Sequence, residues 1–132
     1  MYNGNYDAWC ADHSNDIFLG TGYTMDAMSS LYPSLLQGDW NMKGDQLAAC
    51  NWLFNNLDDY SFNSTQMQDA IWNIFDGTPC SGVAFTMASD ALGHTDYTPL
   101  PGGWAAIVMF DVNDDPFDEV DHTQITFFVV DP

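Results

Sequence analysis

Three cysteines, Cys10, Cys50 and Cys80, are the strongest nucleophiles in this chain, and their number is odd. In an oxidising compartment an odd count leaves one thiol for work other than a disulfide. An electrophile for such a thiol is Gln68, which the apolar pattern places in the first turn of a helix. Unpaired N–H groups at a helix start would stabilise an oxyanion on its carboxamide, and the same end would lower a thiol pKa. Attack on that carbonyl with loss of ammonia would leave an acyl thioester. His13, three residues beyond Cys10, is a candidate for assisting proton transfer. The same residues admit a plainer role: Gln68 as a helix cap, Ile71 and Trp72 as core, and Cys10 as a buried apolar residue or half of a disulfide.

A second cluster is acidic. Asp111, Asn113 and Asp115 copy the first three ligand positions of a calcium loop, and Asp118, Glu119 and Asp121 follow. The glycine such a loop needs is missing, and Pro116 takes its place. Calcium is therefore the only candidate cofactor, against a solvated hairpin loop. His94 and His122 lack a second ligand at zinc spacing. No nucleophile elbow, P-loop or dinucleotide fingerprint occurs, and paired aspartates such as Asp58–Asp59 are uninformative where carboxylates are this common. The expectation is not an enzyme.

These residues need elements to position them. Residues 5–12 alternate loosely and predict a strand with Cys10 facing inward. Residues 13–43 are rich in turn formers, with a short helix expected near 24–31. From Asp45, a candidate cap, Leu47, Cys50, Leu53, Phe54 and Leu57 recur at helical spacing. Met67, Ala70, Ile71, Ile74 and Phe75 form a stronger stripe, with Thr65 and Gln68 at capping-box spacing and Gly77 and Pro79 as the stop. A third helix is predicted over about 82–92, with Val83, Met87, Ala91 and Leu92 inward and Gly93 at its end. After a Pro- and Gly-rich turn come two β runs, 104–110 and 123–130, joined by the acidic stretch 111–122. The expected class is α+β: N- and C-terminal strands sharing a sheet, sandwich or barrel-like, around two or three central helices.

Composition sets outer limits. The 132 residues make one domain, and with 46% apolar residues the chain folds rather than remaining an acidic tail. Nineteen acidic residues, eighteen of them aspartate, face a single lysine, Lys43, and no arginine. Nucleic acid and anionic lipid both call for basic side chains, so both are excluded as partners. Repulsion at this charge is relieved by salt or bound cations, which fits a salty or calcium-containing exterior. No run approaches a membrane span, and any secretion signal is expected upstream or already removed.

Two short pieces, Trp9-Cys10 and Gln68-Asp69-Ala70-Ile71-Trp72, resemble the cysteine strand and Thr-Gln-x-Ala-Ile-Trp helix of the thioester domains of Gram-positive surface adhesins. Met67 stands where that motif has threonine. The chain also looks like a broader group of bacterial and archaeal surface proteins, through Asn51–Asn55, Pro101-Gly102 and Gln124–Val130, in the same order. The resemblance implies a Cys10–Gln68 thioester in an extracellular, secreted or cell-surface domain that binds an amine-bearing protein or polymer covalently. With Cys10 so committed, Cys50 and Cys80 remain as a disulfide pair, whose loop closure would stabilise by roughly 3–4 kcal/mol. Pairing of Cys10 with either of them is the alternative. The near absence of lysine would spare a lasting electrophile from the domain's own amines, or simply reflect selection for acidity. Two other readings stand beside this one. The chain could be a subunit of an extracellular filament or surface layer, assembled from copies of itself. It could also be a calcium-dependent carbohydrate binder using its aromatics and the 111–122 loop.

Overall fold

The strongest local signals lie in the middle of the chain, and the computed structural model, which describes residues 7–15, 22–36, 38–112 and 125–130, builds three helices there. Helix α1 spans Gly44–Phe54, α2 Ser64–Asp76 and α3 Gly82–Leu92. In α2 the stripe Met67, Ala70, Ile71, Ile74 and Phe75 is buried as its spacing requires. Its start is fixed by Asn63, whose side chain accepts the Gln66 N–H at 2.9 Å while Gln66 accepts the Asn63 N–H at 2.9 Å. This reciprocal cap replaces the expected Thr65–Gln68 pair and moves Gln68 into the second turn. Gly77, at φ +68°, closes the helix in the left-handed conformation that glycine adopts without strain. Asp45 lies in the first turn of α1 and does not cap it. In α3 the inward face is Ala84, Met87, Ala88 and Ala91, whereas Val83 is half-buried and Leu92 exposed. Small alanines let α3 lie close against α1 and α2.

The strands are β1 (Ala8–Cys10), β2 (Met25–Ser29), β3 (Ala105–Asp111) and β4 (Thr126–Val130). They form one antiparallel sheet in the order β1-β4-β3-β2, so the N-terminal and C-terminal strands do share it. The fold is α+β, with an open sheet among the described residues in place of a sandwich or barrel. Residues 25–29 pair with β3 over five positions, which overturns the helix expected near 24–31. Ladder bonds to a strong β partner outweigh the local helix preference of Met and Ala in this short segment.

Register determines which side chains meet the helices. Trp9 pairs with Phe127 and Phe127 with Val108, and this row packs into the core beneath the helices. The alternate row, Cys10 with Thr126 and Ala8 with Phe128, lies on the opposite face. There Phe128 and Ile107 are also buried, so β3 and β4 read as continuous apolar runs. Cys10 therefore does not point into the helical core; its neighbour Trp9 does.

Candidate functional site

Among the described residues strand β1 lies at the edge of the sheet, where every second residue directs its N–H and C=O away from the neighbouring strand. Cys10 is such a residue, while Ala11 turns back and donates its N–H to Ile125 O at 2.9 Å. The outward pair at Cys10 is met by the side chain of Gln68. The Cys10 N–H donates to Gln68 Oε1 at 3.0 Å, and Gln68 Nε2 donates to Cys10 O at 2.6 Å. A carboxamide has the same donor and acceptor as a peptide group, so Gln68 acts as a one-residue continuation of the sheet. Because both bonds form, the carboxamide carbon faces Cys10 Cα, and the cysteine side chain hangs from that same atom.

The electrostatics of the thiol differ from the sequence expectation. Burial, and secondarily the nearby Asp12 carboxylate, push the Cys10 thiol up from its ordinary value. Gln68 occupies the fifth helical position, beyond the unpaired N–H groups of the first turn. The helix start therefore supplies neither thiolate nor oxyanion stabilisation here. The donor aimed at the Gln68 carbonyl oxygen is instead the Cys10 backbone N–H.

Following residues run along the same face of α2. Trp72 and Asp76 stand one and two turns beyond Gln68. The His13 ring packs edge-on against Trp72 with centroids 4.7 Å apart, and the His13 N–H donates to Asp76 Oδ2 at 3.0 Å. His13 is thus brought to the helix face that carries Gln68, about 6 Å along the axis. Trp72 Nε1 is a buried donor without an acceptor among the described residues. Lys43 is held at the far end of that face. Its ammonium lies 3.3 Å from Asp76 Oδ1, bonds Phe75 O at 3.3 Å and sits 4.9 Å above the Trp40 ring. Asp76 lies eight residue steps along the helix from Gln68, about 12 Å.

Cys10, Cys50 and Cys80 are free thiols in this structure. Cys50 is fully buried, which pushes its pKa far up. Cys80 is half-buried after α2, and burial and then Asp69 raise it. Of the acidic cluster, Asp111 ends β3 opposite Met25, whereas Asn113 and Asp115 lie outside the described residues. Among the described residues no three acidic, His or Cys side chains gather as a metal site, and no helix is long and apolar enough to cross a membrane.

A second polar clamp is built by Asn51 and Asn55, which at the level of sequence stand only in a motif of the resemblance, without a role. Asn51, 2% exposed, accepts the Ala106 N–H at 2.9 Å and donates to Ser30 Oγ at 3.1 Å. One turn on, Asn55 accepts the Trp104 N–H and donates to Trp104 O, both at 2.8 Å. Together they fix the entry to β3. The legible signal was two asparagines at helical spacing on an otherwise apolar face. No family model, curated protein or solved structure matches this chain.

Proposed function

We propose that this domain is an extracellular covalent binding module whose reactive group is a thioester between Cys10 and Gln68. The observation that supports it is the two-point hold of Cys10 on the Gln68 carboxamide. In the forming step Cys10 Sγ bonds to the Gln68 side-chain carbonyl carbon, the C–N bond breaks, and the thiol proton leaves with the nitrogen as ammonia. Negative charge that develops on Oε1 is already met by the Cys10 N–H, without reorganisation. A raised thiol pKa makes proton removal the demanding part, and His13, one turn along α2, is the group proposed to assist it. The acyl group then passes to a partner's primary amine, giving an amide and a free Cys10 thiol. Each domain reacts once, as an acyl donor rather than a catalyst.

The domain's one lysine fits this reading. Its ammonium is engaged by Asp76 and two aromatic rings, about 12 Å along α2 from the acyl carbon. The acidic surface draws cationic, amine-bearing partners by long-range attraction. Incubation with methylamine is the test: the methylamide should form at Gln68, mapped by peptide mass, and not in Cys10→Ala protein. No methylamide at Gln68 would refute the reading.

A second reading, a structural subunit of an extracellular filament, is favoured by β2, which among the described residues ends the sheet opposite β1. An outer strand offers its backbone for pairing with another copy. Negative-stain imaging of native material separates the readings, since discrete monomers count against the filament.

A further inference from the structure

The inner face of β1 borders a cavity of about 520 Å³, distinct from the Cys10–Gln68 contact on the strand's outer edge. Its size is that of pockets that hold small organic ligands. Trp9, Phe54, Trp104 and Val129 wall it, and Asp7 and Asp58 stand in its lining. Two of the walls are held in place. Trp9 is anchored by ladder pairing to Phe127 and packs on Phe54 at 6.4 Å between centroids. Trp104 is fixed through its backbone by Asn55, yet its side chain is 48% exposed. Gly103 makes that hold possible, because a Cβ there would lie 2.8 Å from Asn55 Oδ1. An aromatic ring restrained at its backbone and left open to a cavity is suited to receive a ligand.

Charge identifies the class. Among the described residues the ionisable groups in the lining are both carboxylates, and Lys43 is engaged elsewhere, at Asp76. Tryptophan faces are electron-rich and attract a cation within about 6 Å of the ring. An anion is repelled by both features, and a neutral ligand can at most donate hydrogen bonds to the carboxylates, without the charge attraction that a cation gains from them and from the rings. Apolar walls beside them favour a cation carried on an alkyl chain. The geometry points to an alkylammonium subsite between Trp9 and Trp104, fitted to a lysine side chain presented by a partner protein. It does not depend on the thioester, because it uses the other face of β1.

Titration of Cys10→Ala protein, which has no thioester for a primary amine to open, with n-butylammonium chloride at constant ionic strength, followed by the five indole N–H signals in NMR, tests this. The Trp9 and Trp104 signals should shift and saturate while the other three stay in place. Asp58→Asn should weaken binding about fivefold, the loss expected for one partly screened charge. Equal shifts with n-butanol, saturation by methyl glucoside instead of the amine, or shifts spread over all five tryptophans would each overturn the proposal.

Discussion

The substitution Gln68→Glu changes one atom of the clamp and almost no volume, so it isolates the hydrogen bond from Nε2 to Cys10 O. The comparison belongs in a Cys10→Ala background, where no thioester forms but the backbone groups at position 10 remain. One carboxylate oxygen still accepts the N–H that now meets Gln68 at 3.0 Å. The other faces the backbone carbonyl of position 10 where a 2.6 Å hydrogen bond stood, and two acceptors oppose each other. Loss of the bond costs about 1 kcal/mol, and the unsatisfied half-buried carbonyl about as much again, so roughly 2 kcal/mol is expected at pH 7. For a domain of this size that is a fall of about 8 °C in Tm. A protonated carboxyl restores the donor, so the folded state raises the pKa of the introduced carboxyl above its unfolded value. The deficit is therefore full above the folded-state pKa and shrinks as pH falls through it. Parent and variant are to be melted side by side by circular dichroism between pH 4 and 7, so that general acid effects cancel. A deficit below about 0.5 kcal/mol at pH 7, or one that does not change on acidification, would refute the edge-clamp account.

Two further outcomes follow from the same geometry. Burial and Asp12 both hold the Cys10 thiol up, so in methylamine-treated, reduced protein, where that thiol is free, iodoacetamide should label Cys10 slowly near neutrality and faster as pH rises. Asp12→Asn removes the negative neighbour, lowers that pKa and should bring labelling on at lower pH; an unchanged profile contradicts the assigned cause. Gly103→Ala places a methyl group 2.8 Å from Asn55 Oδ1 and 3.0 Å from Leu100 O. A loss of about 1–3 kcal/mol in urea unfolding is expected, with a changed Trp104 indole signal. Wild-type stability would show that the turn yields freely.

Much of the fold could be read from periodicity. The stripe on α2 came out residue for residue, because a long amphipathic pattern with a glycine stop leaves few alternatives. β3 and β4 were equally plain, since dense Val, Ile and Phe favour a strand buried on both faces. Strand β2 was hidden, because Met-Asp-Ala-Met-Ser carries no β preference of its own and owes its conformation to pairing with β3. On α3, Ala84 and Ala88 bury instead of Val83 and Leu92, a choice set by how closely neighbouring helices approach and not by apolarity.

The candidate site was legible in part. Cys10 and Gln68 were singled out and do meet, 58 residues apart in the chain. The manner of meeting was not legible. Moving the cap from Thr65 to Asn63 shifts Gln68 from the third to the fifth helical position and takes it away from the helix start. Its partner is the free edge of a strand, which only sheet order reveals. Asn55 and Trp104 depend on a contact 49 residues apart, which no local pattern encodes.

Intact mass of the native protein, recorded without reductant, bears on the thioester most directly. The expected result is a chain lighter by one ammonia, a deficit that Cys10→Ala and Gln68→Ala each abolish. A full-mass chain, or one short only of the hydrogens lost to a disulfide involving Cys10, would contradict it.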